Sequence, residues 1–119
     1  MKRGPESKRT LELVNLLRKK AVEEKVGIWK RVAEKLSRSA RRGAEVNIYN
    51  IDRYSKEGDT VLVPGKVLST GVLGHKVTVA AHRFSASATD KIRKAGGECL
   101  GISEIVKNNP KGKGIILME

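Results

Sequence analysis

The spacing of apolar residues changes once along this chain, at Gly43, and that change constrains the fold more than any other feature. Before Gly43 apolar residues recur three and four positions apart, which is the spacing of one helix face. After Gly43 they occur in short runs rich in Val and Ile, separated by Gly or Pro as strands are. The sequence therefore predicts two helices followed by a region that contains strands.

Two amphipathic helices are predicted in the first part of the chain. The first covers residues 11–24 and the second residues 28–42, with a break at Gly27. Trp29 is in phase with the apolar face of the second helix, so we expect it in the core. The apolar positions of the two faces are Leu13, Val14, Leu17 and Ala21, then Ile28, Trp29, Val32, Ala33 and Leu36.

Strands and helices alternate in the remainder of the chain. We expect a mixed sheet, one helix at residues 88–95 and a short helix at 103–108, which together favour an α/β domain. With 119 residues the chain is about one domain long. The predicted organisation is a basic helical arm at 1–43 and an α/β core at 44–119, forming one structural unit. The β-prone runs are residues 46–51, 60–63, 66–69, 76–81, 98–102 and 114–118.

Basic residues are in excess, and the excess is uneven. The chain has 25 Lys and Arg against 13 Asp and Glu, a net charge of +12. Residues 1–43 hold 14 basic and 5 acidic residues, whereas residues 44–119 hold 11 and 8. Such a concentration is typical of an arm that lies along a polyanion, because each neutralised phosphate releases counterions. The alternative is a generally basic protein whose charge serves solubility.

The densest basic cluster lies on and just beyond the second predicted helix. Its spacings let much of the cluster share one helix face, away from Val32 and Leu36. Arg presents a planar fork of donors that matches a phosphate, and Lys adds a point charge, so we expect this face to follow a track of phosphates. The alternative is a solvated face with salt bridges to Glu34. The basic cluster consists of Lys30, Arg31, Lys35, Arg38, Arg41 and Arg42.

Two glycine-containing segments each carry a lysine. In Val63–Lys66 and in Gly71–Lys76, glycines let the backbone approach a phosphate closely, beside Lys66 or Lys76. The second segment matches the glycine loop of KH-type RNA-binding domains in two residues, and neither segment has the spacing of a nucleotide-binding P-loop. Tight turns explain these glycines equally well.

The sequence lacks the residue patterns of an enzyme or a metal site. His75 and His82 are the only histidines and have no Cys or carboxylate neighbours at metal-ligand spacing, and no nucleophile-elbow motif occurs. Cys99 is the only cysteine and is expected to be a buried structural thiol. We therefore expect no catalysis, no cofactor, no metal and no small-molecule substrate.

Membrane insertion and base stacking are not expected either. The chain has no apolar run near 18 residues, and its first residues lack the apolar stretch of a signal peptide, so we expect a soluble intracellular protein. Aromatic residues make up 3% of the chain, too few for a protein that stacks single-stranded bases on aromatic side chains. Recognition should therefore depend on phosphates, sugars and shape.

Two sequence blocks resemble a known family. Residues 34–51, EKLSRSARRGAEVNIYNI, and residues 61–85, VLVPGKVLSTGVLGHKVTVAAHRFS, closely resemble the archaeal and eukaryotic "eighteen-e" proteins of the large ribosomal subunit, relatives of bacterial large-subunit protein fifteen. The resemblance runs almost end to end, and the small size and short C-terminus look archaeal. It implies an α/β fold, namely an irregular β-β-α superhelical domain with an N-terminal helical extension.

The resemblance implies a structural, non-catalytic role in the cytoplasmic ribosome. The implied partners are large-subunit ribosomal RNA and neighbouring ribosomal proteins, which agrees with the polyanion expected from charge. The expected RNA-binding residues are the basic cluster, Lys66 and Lys76 at phosphates, and Asn47 and Arg83 at sugars or base edges.

Two other functions stay open at this point. Two helices separated at Gly27 are compatible with the helix-turn-helix of a DNA-binding regulator, although Ile28 and Trp29 place apolar groups where base-reading side chains are needed. A protein-interaction module that is basic only for solubility is the other. A preference for DNA over ribosomal RNA would favour the first, and absence from ribosomes would favour the second.

Overall fold

The computed structural model describes residues 8–38 and 44–119. Within these ranges the chain forms five helices and five strands, and every strand pair is parallel. The predicted α/β class and the N-terminal helical segment are confirmed, whereas the expected mixed sheet is wrong. The helices are α1 (Lys8–Glu24), α2 (Gly27–Arg38), α3 (Ile48–Tyr54), α4 (Ala86–Lys94) and α5 (Ile102–Asn108), and the strands are β1 (Ala44–Asn47), β2 (Thr60–Leu68), β3 (Thr78–Phe84), β4 (Glu98–Gly101) and β5 (Ile115–Leu117).

The two N-terminal helices pack their apolar faces inward, as predicted. Leu17 of α1 and Trp29 of α2 are fully buried, which confirms Trp29 as a core residue. The indole Nε1 of Trp29 donates a hydrogen bond to the Pro110 carbonyl at 2.7 Å, so the buried ring keeps a polar partner. Between the helices Lys25 has a φ of 56°, the left-handed conformation that commonly ends a helix. The break therefore depends on Lys25, and Gly27 is the first residue of α2.

The sheet has β2 and β3 at its centre. Its strand order is β1-β2-β3-β4, and β5 also pairs with β2. Since β3 occupies one edge of β2, β5 and β1 share the other edge end to end, β5 along 60–62 and β1 along 65–68. The carboxyl ends of these parallel strands meet at one end of the sheet.

Pro64 lies inside β2, although proline lacks a hydrogen-bond donor and is rare in a central strand. The neighbour of β2 changes from β5 to β1 around Pro64, and the register with β3 shifts between Val63 and Lys66. The proline thus stands where no continuous ladder needs its N–H. The two strands predicted on either side of it are one strand, and the loop predicted at Val63–Lys66 is wrong.

The β-prone run predicted at 46–51 is a strand only in its first part. β1 ends at Asn47, whose backbone N–H donates to the Asn50 side-chain Oδ1 at 3.1 Å and so finds a partner where α3 begins. Ile48 and Ile51 are both fully buried, three positions apart on α3. Their burial therefore follows helix spacing and not strand alternation.

Hydrophobic clusters cover both faces of the sheet. On one face α1, α2 and α5 pack over Leu62 and Ala80. On the other face α3 and α4 pack over strand residues that include Val61, Val63 and Val79. Successive side chains of a strand point to opposite faces, so β2 and β3 each supply both clusters.

The predicted boundary between arm and core falls at residues 39–43, outside the described residues. The division into 1–43 and 44–119 therefore stays a prediction. Within the described ranges, Trp29 of α2 shares one buried cluster with Leu62 of β2, so α2 is a layer of the packed domain.

Cys99 lies on β4, half-buried against the cluster that α3 and α4 cover. Burial raises the pKa of its thiol and outweighs the lowering effects of Arg93 and of a hydrogen bond with Thr89. A protonated thiol is a weak nucleophile, which fits the expected structural role, although the side chain is less buried than expected.

Candidate nucleic-acid interface

The predicted RNA-binding residues fall in three separate places. The side chain of Arg38, together with residues Arg41 and Arg42, lies outside the described part of the chain, so their assignment stays a prediction. The described ones do not share one surface. They comprise an α2 group of Lys30, Arg31 and Lys35, a sheet-edge group of Asn47, Lys66 and Arg83, and Lys76 at the opposite end of the sheet.

The α2 group lies on the side of the helix that faces away from the core. Val32 and Leu36 are buried and fix the rotation of α2, so the basic side chains are directed outward. Lys30 and Arg31 are exposed, and Lys35 is partly exposed. These three cations are therefore accessible from solvent.

The carboxylate of Glu119 bridges two members of the α2 group. Its Oε2 lies 2.9 Å from Arg31 Nε, and its Oε1 lies 3.1 Å from Lys35 Nζ. Desolvation acts to raise the pKa of Glu119, but hydrogen bonds from Lys35 and Arg31, helped by their charges, outweigh it and hold the pKa below its ordinary value. Among the described residues the acid paired with this face is thus Glu119, not Glu34.

Lys66 and Arg83 stand side by side near the carboxyl ends of β2 and β3. They are register partners on neighbouring strands, and both are exposed. Like charges at adjacent strand positions repel each other, which costs stability unless an anion lies between them. Glu45 is the register partner of Lys66 on β1, yet within the described ranges neither Lys66 nor Arg83 forms an ion pair. Asn47 ends β1 at the same edge, so this edge offers two cations and an amide.

Lys76 precedes β3 and therefore lies at the end of the sheet opposite to Arg83. Its carbonyl accepts a hydrogen bond from the Gly58 N–H at 2.7 Å, and its own N–H lies 3.4 Å from Glu57 Oε1. The side chain is exposed. Any contact it makes with RNA is separate from one made by Lys66 and Arg83.

The loop between β2 and β3 is packed against its neighbours. Gly71 has a φ of 109°, and a β-carbon there would lie 2.6 Å from the Tyr49 β-carbon. Lys91 Nζ on α4 donates hydrogen bonds to the carbonyl oxygens of Ser69 and Gly71, at 2.5 and 2.7 Å. The glycine therefore serves close packing, which favours the tight-turn interpretation over a phosphate cradle.

A Ser–His–Asp arrangement also fixes this loop. His75 Nε2 lies 2.9 Å from Ser55 Oγ, and His75 Nδ1 lies 3.4 Å from Asp52 Oδ1. The arrangement resembles a hydrolase triad, but Ser55 is buried and its hydroxyl donates to the Ile51 carbonyl. A nucleophile must be reachable by substrate, so these contacts are structural. Sequence spacing does not reveal them because the loop and α3 are separate elements.

A cleft of about 1170 Å³ opens between the start of α1, the end of β3 and the start of α5. Its lining includes Lys8, His82 and Arg83. His82 Nε2 lies 3.4 Å from Thr10 Oγ1, and burial together with the charge of Arg83 lowers the pKa of His82. The sequence-based assignment omits Lys8 and His82, because nothing in the sequence shows that α1 returns to the end of β3.

The described surface offers anion binding as its main chemistry. Across residues 8–38 and 44–119, no group of three or more His, Cys, Asp and Glu residues is arranged to hold a metal ion. None of the described helices has both the length and the apolar character needed to cross a membrane.

Several archaeal ribosomal proteins are similar to this chain over most of its length. Large ribosomal subunit protein eL18 of Methanothermobacter thermautotrophicus is 51% identical over 109 residues, which is 92% of this chain and 90% of that protein. The eL18 protein of Methanococcus maripaludis is 46% identical over 110 residues, covering 92% of each chain. That of Methanoregula boonei is 44% identical over 110 residues, covering 92% of this chain and 91% of its own.

A family model agrees with these relatives. The model for ribosomal proteins 50S-L15 and 50S-L18e and their 60S counterpart matches residues 6–100, a range that contains both sequence blocks and extends into β4. The resemblance stated from those blocks is thereby confirmed. Members of this family are ribosomal proteins and not enzymes. The chain belongs to the family of ribosomal proteins 50S-L15 and 50S-L18e.

Proposed function

We propose that this protein is a structural constituent of the large ribosomal subunit that binds ribosomal RNA through two exposed basic surfaces. It would lie among neighbouring ribosomal proteins in the cytoplasmic ribosome and support subunit assembly. The observation that carries the proposal is the adjacent pair of Lys66 and Arg83, two exposed cations held side by side by strand register. Such a pair is stabilised by an external polyanion.

The α2 group supplies the second surface. Lys30, Arg31 and Lys35 face solvent, and the net charge of residues 1–43 exceeds that of the remainder. Arg38, Arg41 and Arg42 would extend this surface along the RNA backbone, and Lys76 would make a separate phosphate contact. Asn47 would contact a sugar or base edge at the sheet edge.

The packing of α2 argues against the alternative of a DNA-binding regulator. A recognition helix presents the side chains near its start to the base edges of the major groove. At the start of α2 Trp29 is fully buried, and its indole N–H is bound to the Pro110 carbonyl. This end of the helix belongs to the core, which supports contact with an RNA backbone by the outward face.

Filter binding of matched double variants to large-subunit ribosomal RNA from a methanogen tests the proposal. The variant Lys30→Ala/Arg31→Ala removes one Lys and one Arg from α2, and we expect weaker binding. The slope of log affinity against log salt should flatten by about 0.7 to 0.9 for each lost phosphate contact.

The control variant Arg93→Ala/Lys94→Ala removes the same two residue types from exposed positions on α4, on the other face of the sheet. It should retain the affinity and salt slope of the unaltered protein. Equal losses in both variants would show that only total charge matters, and tighter binding to duplex DNA than to ribosomal RNA would contradict the proposal.

A further inference from the structure

A groove of about 740 Å³ runs between the exposed face of α2 and the residues that follow β5. Lys30, Arg31 and Lys35 line one side of it, and Leu117 and Glu119 line the other. The groove therefore brings three cations of the proposed RNA-binding surface together with one carboxylate. That carboxylate comes from the opposite end of the sequence.

Arg31 and Lys35 are already directed at one anion. The two carboxylate oxygens of Glu119 are divided between them, one 2.9 Å from Arg31 Nε and the other 3.1 Å from Lys35 Nζ. Two non-bridging oxygens of a phosphodiester have similar geometry and bind the same donors. The distances thus describe a formed site for one oxyanion.

The pair is exchangeable because it lies at the surface. The Arg31 side chain is 66% exposed and that of Lys35 is 39% exposed. Ion pairs of this kind contribute little net stability, since water screens them and two long side chains must be ordered. An RNA phosphate, which belongs to a dense array of charge, is therefore able to replace the carboxylate.

We propose that Glu119 occupies a phosphate-binding site formed by Arg31 and Lys35, and that RNA binding displaces its carboxylate. This inference rests on the proposed function and adds a self-competing contact to it. The folded protein keeps the two side chains converged on an anion before RNA arrives. Each encounter with RNA must first break the internal pair, which lowers affinity for RNA that makes few other contacts.

The substitution Glu119→Gln removes the competing charge and retains the shape of the side chain. We expect it to bind ribosomal RNA about two- to fivefold more tightly, the range set by the loss of one exposed ion pair. The slope of log affinity against log salt should steepen by up to about 0.7 to 0.9, one phosphate contact. Filter binding between about 0.1 and 0.3 M salt measures both quantities.

Two controls separate this effect from a change in net charge. Asp90→Asn makes the same charge change at an exposed position on α4, away from the groove, and should leave RNA affinity unchanged. In the background Arg31→Ala/Lys35→Ala, Glu119→Gln should have no further effect, because the cations it released are missing. Circular dichroism and thermal unfolding of each variant verify that the fold is retained.

A second measurement does not require RNA. Titration with inorganic phosphate, followed by the ¹H–¹⁵N signal of Arg31 Nε, should give a larger and tighter shift in Glu119→Gln than in the unaltered chain. Equal phosphate binding by the two proteins overturns the inference even if the unaltered protein binds RNA well. Equal or weaker RNA binding by Glu119→Gln, or an equal gain in Asp90→Asn, also overturns it. Failure of the unaltered protein to bind ribosomal RNA contradicts the proposed function, and the phosphate titration then still decides on the displaced carboxylate.

Discussion

Single residues in this protein are constrained mainly by contacts with residues far away in sequence. Gly71 is restricted by the backbone of Tyr49, and His82 by Thr10 on the first helix. Glu119 lies against Arg31, 88 positions earlier. Each of these positions looks ordinary in the sequence, because the contact that gives it meaning belongs to another element.

Replacing Gly71 by Ala should destabilise the protein by about 2 to 4 kcal/mol, since the residue combines a left-handed φ with overpacking. The added β-carbon would lie 2.6 Å from the Tyr49 β-carbon and 2.7 Å from its backbone nitrogen, so the loop or α3 must shift. Urea unfolding monitored by circular dichroism measures the change. The control Gly27→Ala, where nothing lies within 4 Å of the new atom, should change stability by less than about 1 kcal/mol. Equal effects would contradict the packing argument.

His82 should make stability depend on pH. Burial and Arg83 lower its pKa in the folded protein below the ordinary value of 6.5, so the unfolded chain binds more protons in the interval between the two pKa values. The stability contributed by neutral His82 is complete above pH 6.5 and is lost as pH falls through the folded pKa. Urea unfolding at about pH 7.5 and 5.5 should therefore show a smaller loss for His82→Gln than for the unaltered protein. Identical losses would show that His82 is not the group responsible.

At the scale of elements, short connections are held by side chains from neighbouring helices. The link from β2 to β3 runs back along the parallel sheet without a helix, which is unusual because such crossovers commonly contain one. Lys91 of α4 binds two of its carbonyls, and Asp52 of α3 accepts a hydrogen bond from the Gly74 N–H at 2.9 Å. Contacts to α3 and α4 thus replace the internal hydrogen bonds that a helix would have provided.

Lys91→Met should cost about 1 to 3 kcal/mol, because it leaves the carbonyls of Ser69 and Gly71 without their donor in a half-buried place. Methionine retains most of the aliphatic stem, so lost packing contributes little. Chemical unfolding gives the free energy, and hydrogen exchange of residues 69–77 should quicken. Lys94→Met, at an exposed position on the same helix, is the control and should stay within about 0.5 kcal/mol of the unaltered protein. A similar cost for both would show that Lys91 acts only through its helix.

At the scale of the whole molecule, the two-sided sheet determines where the basic surfaces lie. α2 is held by its apolar face over β2 and β3, so its basic face must point outward. Lys66 and Arg83 come together because parallel strands end at the same edge. The proposed RNA contacts are therefore attached to the packed core, and their spacing is set by the fold.

If both surfaces bind the same RNA, their losses should add on a logarithmic scale. Lys66→Ala/Arg83→Ala should weaken binding to large-subunit ribosomal RNA, and combining it with Lys30→Ala/Arg31→Ala should multiply the two fold-changes, since sites that share no contacts act independently. The salt slope should flatten by about 0.7 to 0.9 for each contact removed. Filter binding of the two doubles and the quadruple variant measures this. A quadruple variant no weaker than one of the doubles would show that a single surface accounts for binding.

The sequence by itself determined the features that repeat along the chain. Helical spacing of apolar residues placed α1 and α2 and put Trp29 in the core, and the charge difference between the two parts indicated a polyanion. These signals survive in one dimension because a periodic pattern or a sum of charges needs no knowledge of neighbours. Two motif-rich blocks indicated the family.

Only the tertiary structure decided how the pieces meet. Pro64 divides the sequence into two apparent strands, yet β2 continues through it because its partners change there. Ile48 and Ile51 resemble strand residues, yet they belong to α3. The pairing of Glu119 with Arg31 and Lys35, and the row of Lys66 and Arg83, arise from strand order and register, which join residues that are distant in sequence. Local propensity has no access to such contacts, because their free energy depends on which surfaces the whole chain buries together.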